Sequence, residues 1–413
     1  MDKTHRQVII IGGGPAGLAA AVALHKSGVT DILILERERR LGGILNQCIH
    51  DGFGLTRFGE TLSGPEYAQR FASEAAALGI EAITNCTVFR LTADKKVTAA
   101  TPGRLLELTA DAVILTMGCR ERPRGALAIP GDRPAGVFTA GVAQSYVNLK
   151  NTMIGKEAVI LGSGDIGMIM ARRLTLEGVK VKAVFEIQPY PSGLPRNIEQ
   201  CLNDFGIPLY LSHTVTRING RRRVQSVTVS QVDNALRPIP GTEQDWPCDT
   251  LILSVGLIPE NELSLQAGVV LDPRTKGASV DEYHQTTVPG VFAAGNVLHV
   301  HDLVDFVSLE AEELAASVQA YLSGGLSPCG IEVQTDETVS YTVPQRLSGA
   351  RDVTLSFRPR KPMQNCVFEV WQGDTLIARK KAAKALPAVM VHLPVKASAF
   401  VSQEPVKVVS RVD

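Results

Sequence analysis

Seven cysteines stand among 413 residues, and no two of them are close together. Cys48, Cys86, Cys119, Cys201, Cys248, Cys329 and Cys366 form no Cys-x-x-Cys and no Cys-x₄-Cys pair, which excludes a local dithiol of the disulfide-reductase kind. The same spacing provides no close-set thiolates for zinc or an iron–sulfur cluster. An excess of charge is missing too: 42 Lys and Arg balance 42 Asp and Glu. Nucleic acid is therefore not an expected partner, because phosphate binding draws on a basic excess. No apolar run reaches the roughly 20 residues that span a bilayer. Met1 to Gln7 is too polar for a signal peptide. A cytoplasmic protein is expected, with membrane association only peripheral and through a partner.

Glycine is plentiful, with 37 residues, and two clusters of it carry the chemistry. Val8-Ile9-Ile10-Ile11 runs into Gly12-Gly13-Gly14-Pro15-Ala16-Gly17, and Ala158-Val159-Ile160-Leu161 runs into Gly162-Ser163-Gly164-Asp165-Ile166-Gly167. Each is an apolar strand, a G-x-G-x-x-G turn and the start of a helix. The glycines permit a tight turn and close approach of backbone to a pyrophosphate, and the helix N-terminus offers free N–H groups and the positive end of its dipole. One such match is a weak signal; two in the same context are a strong one. Each unit continues to a second strand that ends in an acid. Ile32–Leu35 leads to Glu36, and Val181–Phe185 leads to Glu186. A carboxylate there can accept both hydroxyls of an adenosine ribose. Glu186 would repel the 2′-phosphate of NADP, and Ile187-Gln188-Pro189-Tyr190 contains no Arg to receive one, so NAD is favoured for the second unit.

The pattern reads as an α/β chain with two doubly wound, Rossmann-like units. The spacing predicts helices over 65–79, 165–177 and 308–322, and buried strands that end at Gly118, Gly256 and Gly295. The expected division is a first dinucleotide domain over 1–150, a second inserted over 151–276, a return to the first over 277–332, and a small β-rich domain over 333–413. That last segment, with a turn at Gly373-Asp374, lies outside both nucleotide units in sequence, so its removal is expected to spare them.

Gly12–Gly17, Glu36, Gly42-Gly43, the Thr116-x-Gly118 turn and Gly295 resemble the FAD domain of two-dinucleotide flavoproteins of the pyridine nucleotide-disulfide oxidoreductase type, and Gly162–Gly167 resembles their NAD domain. Three stretches are similar to a narrower group: Gly42-Gly43-Ile44-Leu45-Asn46-Gln47-Cys48, the second glycine loop with Ala171-Arg172-Arg173, and Ala294-Gly295-Asn296-Val297-Leu298-His299-Val300-His301-Asp302. That group comprises the larger subunits of opine oxidases and hydrogen cyanide synthase and the oxidoreductases that accompany glycerol-3-phosphate-dehydrogenase-like flavoproteins. The resemblance covers about residues 1–330. It implies FAD on Gly12, Gly14, Pro15, Ala16, Gly17, Glu36, Arg37, Gly43, Val88, Thr116, Gly118, Gly295 and Asn296. It implies NAD on Gly162, Gly164, Asp165, Ile166, Gly167, Glu186 and Gly256. One departure is Asn296, where the broader superfamily has an Asp that holds a ribityl hydroxyl of FAD; the amide can still hydrogen-bond, without the charge.

Candidate catalytic residues are Cys48, His50, His299 and His301. His299, His301, Asp302 and Asp305 invite a metal reading, but their place after the FAD strand favours lining the flavin end, with Asp302 or Asp305 as an N-cap. No metal is expected. With no cysteine pair to receive electrons, the resemblance implies a second flavoprotein subunit that oxidises a small hydroxy or amino compound, and the 333–413 segment is the expected docking element for it, so that its deletion is expected to abolish complex formation. Two alternatives remain open: a stand-alone NADH oxidase or peroxidase that uses Cys48, and an assembly subunit whose second nucleotide site is empty.

Overall fold

Two parallel sheets are built where the two glycine fingerprints stand. The computed structural model describes residues 4–412, and the chain divides into two compact units, one running up to Cys119 and from Pro259 onward, the other Arg120–Ile258.

In the first unit the strand His5–Ile11 lies between Ile32–Leu35 and Arg104–Leu115, both parallel to it. Glu81–Ile83 extends one side, and Val291–Ala293 joins Arg104–Leu115 on the other. Strands this deep read as continuous Val/Ile/Leu runs because both faces are covered. Ile9, Leu33 and Val113 face one core; Val8, Ile10, Ile34 and Ile114 face the other. The helix Pro15–Lys26 fills the second core with Leu18, Ala19, Ala20, Ala21 and Leu24, all fully buried. Its run of alanines lets it lie flush against the helix Val304–Leu322.

The second unit repeats the plan. Its sheet runs Val137–Thr139, Thr250–Leu253, Glu157–Leu161, Lys180–Glu186 and Leu209–Leu211, all parallel. The helix Asp165–Leu176 packs on it, and a three-stranded antiparallel sheet over His213–Pro247 covers the other face. The units divide at 119/120 and 258/259, whereas the sequence reading places the joints at 150/151 and 276/277. The short strand Val137–Thr139 and the helix Ala140–Lys150 belong to the second sheet and its core. Leu263, Ala267 and Val269 pack in the first.

Residues 331–412 form two β-sheets around Leu355, Phe357, Phe368 and Val408. The hairpin of Met363–Gln372 with Thr375–Ala385 turns at Gly373-Asp374, as the sequence suggests. This is no free appendage. Val343 is buried in the core of the first unit, and Gln345 and Val280 exchange two hydrogen bonds of 3.0 and 2.8 Å. Glu282, 8 % exposed, accepts the backbone N–H of Ser348 at 2.9 Å and its hydroxyl at 2.5 Å. Arg358 donates to the carbonyl of Val300 at 3.0 Å, within the loop that follows Gly295.

Candidate functional site

The first glycine loop leaves an open backbone cradle. Gly12 adopts φ +107°, and a Cβ there would press on the Thr116 carbonyl, so the turn needs glycine. The Thr116 hydroxyl donates to the carbonyls of Ile11 and Gly12 at 3.0 and 2.9 Å and ties the loop to the neighbouring strand. Gly14 precedes the helix with Pro15 in its first turn, and a Cβ on Gly14 would meet only the Cα of Gly43, 3.9 Å away. No acid stands in the first turn of this helix, so its N-terminal charge is not neutralised. Glu36 is 5 % exposed; its Oε2 accepts from Gly13 N at 2.7 Å and its Oε1 from Glu38 N at 2.8 Å. A carboxylate has about four acceptor positions, so one on each oxygen remains for a diol. An open cradle, a free helix end and a half-used acid together fit an adenine dinucleotide. Arg37 is exposed and points to Glu38 at 3.7 Å, and Val88 packs against the core beside the sheet.

Gly295 sits between two helices: a Cβ there would lie 3.0 Å from Ala16 and 3.2 Å from Val307. Its N–H donates to Glu310 Oε2 at 2.6 Å. Asn296 accepts the backbone N–H of His301 at 3.0 Å through Oδ1, while its amide nitrogen lies 3.7 Å from Cys119 Sγ. His299, 1 % exposed, meets Glu310 Oε1 at 2.7 Å, and His301 approaches the same oxygen at 3.5 Å. Burial pushes His299 down to about 4, so at neutral pH its Nε2–H donates to Glu310, whose carboxyl is held well below the usual range, against its own burial, by its contacts with His301 and His299. The polar partner of the two histidines is thus Glu310, an acid inside the helix that the sequence reading did not single out. These three side chains could place ligand atoms within 4.8 Å of one another.

Neither aspartate caps that helix. Its N-cap is Leu303, and the helix starts at Val304, four residues before the predicted 308. Asp305, 2 % exposed, accepts instead from Gly54 N and Arg57 N at 3.2 and 3.1 Å and holds the 54–57 loop. Asp302 faces the β domain, at 3.6 Å from Arg358 and 3.4 Å from Met390 N. Both carboxylates satisfy a neighbouring segment, which a cap on their own helix would leave unpaired.

Cys48 and His50 do not join this group of histidines. Cys48 follows the short 3₁₀ turn Gly43–Gln47, its thiol donates to the Ile44 carbonyl at 3.4 Å, and burial pushes it up to about 12. A thiol so placed holds almost no thiolate at neutral pH, and the thiolate is the nucleophile. Such a thiol is a poor nucleophile as it stands. Cys48→Ser is expected to leave NADH-driven dye reduction and peroxide consumption within about twofold of wild type, the change expected of a spectator thiol; loss of peroxide-dependent NADH oxidation in that variant would restore the thiol's role. His50 packs its ring 4.9 Å from Phe53 and contacts the Asp51 carbonyl at 3.1 Å.

The second loop shares the first one's turn. Gly162 has φ +96°, a Cβ on Gly167 would strike Ser254, and Gly256 (φ +103°) closes the strand Thr250–Leu253 as Gly118 (φ +71°) closes its counterpart. Gly164 precedes the helix that Asp165, Ile166 and Gly167 begin. Glu186 is 3 % exposed and accepts from Ser163 N at 3.0 Å.

Comparison with known proteins agrees with two nucleotide units of this build. The pyridine nucleotide-disulphide oxidoreductase family matches residues 6–324. The chain belongs to that family. It is accordingly an FAD- and NAD(P)-dependent oxidoreductase. An opine oxidase subunit of Agrobacterium tumefaciens is 26 % identical over 368 residues, covering 83 % of this chain and 69 % of that protein. Hydrogen cyanide synthase subunit HcnB of Pseudomonas protegens is 27 % identical over 406 residues, covering 90 % of this chain and 81 % of that one. Among solved structures, the thioredoxin reductase of T. acidophilum superposes with a TM-score of 0.63 at 25 % identity, over 79 % of this chain and all of that one. None of the seven cysteines stands in a disulfide. No helix among the described residues is long and apolar enough to cross a membrane.

Proposed function

We propose that the chain exchanges hydride between NAD(H) and bound FAD, as the electron-transferring subunit of a multi-subunit dehydrogenase acting on a small hydroxy or amino metabolite of glycerol 3-phosphate-like or opine-like type. The observation that carries this reading is a pair of glycine loops, each with a buried acid bonded to its own backbone, in a chain without a cysteine pair. Bound FAD supplies the two-electron chemistry with nicotinamide; the protein supplies orientation and electrostatics. Gly12–Gly17 would seat the pyrophosphate of FAD and Glu36 its adenosine ribose. The loop from Gly295 to His301 is held by Glu310 and would border the flavin, with His299 kept neutral and donating. Gly162–Gly167 would seat the pyrophosphate of NAD.

Electrons with no internal dithiol to receive them go to a partner, taken here as a second flavoprotein subunit. Several relatives are named as parts of larger enzymes, among them the opine oxidase and HcnB subunits and the glutamate synthase small chain. The isolated FAD-loaded chain is therefore expected to reduce artificial dyes with NADH while turning over small metabolites poorly. Metabolite oxidation by the isolated chain at the rate of the native assembly overturns the subunit reading.

NAD is proposed over NADP because Glu186 would stand beside the 2′-phosphate. Like charges about 4 Å apart repel by roughly 4 kcal/mol at a surface-like dielectric, so NADH should reduce the flavin at least about tenfold better than NADPH. Glu186→Ser combined with Gln188→Arg should narrow or reverse the ratio. Anaerobic flavin bleaching with each nucleotide measures it, and equal bleaching of wild type by NADPH overturns it.

A further inference from the structure

The two glycine loops differ in how much of their acid is already taken. Glu36 accepts two backbone N–H groups, one on each oxygen. Glu186 accepts four donors. Its Oε1 receives Gln188 N at 2.9 Å. Its Oε2 receives Ser163 N at 3.0 Å, the Ser163 hydroxyl at 2.7 Å and the Ser192 hydroxyl at 2.6 Å. With about four acceptor positions on a carboxylate, the four donors fill Glu186, whereas Glu36 is half used, so a ribose hydroxyl has to displace one of these donors. The cause is in the sequence. Ser163 stands where the first loop has Gly13, and its hydroxyl both donates to Glu186 and accepts the N–H of Ser192 at 2.8 Å.

The segment that carries Ser192 then runs across the loop. Leu194 N and the Asn197 amide donate to Asp165 Oδ1 at 2.8 and 2.6 Å. Gly193 lies so close to the loop that a Cβ on it would sit 2.7 Å from Asp165 Oδ1 and 2.9 Å from the Ser163 carbonyl. Asp165 stands in the first turn of the helix, at the end where a pyrophosphate would seek free N–H groups, whereas the first unit's helix has no acid there. Ser192 is itself exposed, while Gly193 and Asn197, at the start of the helix Pro195–Cys201, are buried against the loop.

We propose that the Ser192 hydroxyl is the competitor that an incoming nucleotide ribose displaces from Glu186, and that residues 192–197 form a strap whose release sets nucleotide affinity at the second loop. Ser163 is the positioning residue, since it holds the strap through its hydroxyl. The proposal rests on the reading above that a nicotinamide dinucleotide binds this loop.

The test uses the full FAD-loaded chain and oxidised NAD, which binds without electron transfer. Ser192→Ala removes the competitor, and Ser163→Gly reproduces the first loop. Each should tighten NAD binding by about tenfold in calorimetric titration, the effect of one charge-assisted hydrogen bond that no longer has to be broken. Hydrogen exchange supplies a second readout: the amides of Ser192 and Leu194 should be protected without nucleotide and lose protection when NAD binds the wild type. Equal affinity in all three proteins with unchanged exchange overturns the strap and leaves nucleotide binding intact. Weaker binding in Ser192→Ala also overturns it, since the hydroxyl would then serve the nucleotide. No binding by any of the three overturns both the strap and the nucleotide reading, and leaves a protein with an empty second site.

Discussion

Gly17→Val is expected to yield a protein that carries no flavin. A Cβ on Gly17 would run into the carbonyl oxygen of Gly12, and it would stand 3.1 Å from that carbonyl's carbon and 2.9 Å from the Thr116 hydroxyl. None of these neighbours can retreat. The Gly12 carbonyl is fixed by the Thr116 hydroxyl, which also holds Ile11 at the buried end of its strand. The helix must move away from the strand, and the cradle widens where the pyrophosphate would sit. Overpacking of this kind costs about 1–3 kcal/mol in stability, but displaced N–H groups lose most of their hold on a phosphate. Glu36→Ala is a milder comparison. It removes a buried acceptor from Gly13 N and Glu38 N as well as the proposed ribose anchor, at about 1.5–3 kcal/mol per charge-assisted bond. Flavin absorbance after desalting, alongside a thermal melt, measures both. Gly17→Val protein that folds and retains a full complement of FAD would show that this loop does not hold the cofactor.

The features legible in the sequence are those that one short segment specifies alone. The apolar runs at Val8–Ile11 and Ala158–Leu161 have no polar position to offer a surface, so each had to be a strand covered on both faces. The glycine turns and the acids Glu36 and Glu186 follow at the offset that the next strand imposes. Relations between distant segments were not legible. Glu310 lies amid Glu312 and Glu313 on a helix and looks like part of a solvated face, yet it holds Gly295 and His299. Ser192 stands in an irregular segment without periodicity, and only the fold brings it to Glu186. Val137–Thr139 is three residues long, too short to read as the sheet edge that moves the unit boundary from 150 to 119. Asp302 and Asp305 had the chemistry of caps, but the N–H groups they satisfy belong to residues 390 and 54–57.

Removing residues 333–413 is expected to cost the first unit its stability and its FAD, contrary to what its place outside both glycine units suggests. Truncation strips Val343 from a core that also holds Ile9, Leu33 and Val113. It also takes the partners of four buried or half-buried sites: Val280, Glu282, the Val300 carbonyl and Asp302. A buried polar group left unpaired costs about 1–3 kcal/mol, and a typical domain has only about 5–15 kcal/mol in hand. Val300 lies between His299 and His301, so the loss falls on the loop that follows Gly295. The truncated chain should be insoluble, or should melt many degrees lower and release flavin. Arg358→Ala separates this effect from gross misfolding. It keeps the β core and removes the contacts of Arg358 with Val300, Asp302, Tyr341 and Pro387. A loss of about 1–2 kcal/mol should then lower the melting temperature by roughly 2–8 °C, given about 2–4 °C per kcal/mol in a unit of this size. Soluble truncated protein with wild-type melting and full FAD would make the β domain an independent module. If it is integral, as these contacts indicate, partner docking on it has to be probed by charge substitutions on exposed strands such as Thr375–Ala385, because a deletion removes the flavin unit together with the docking face.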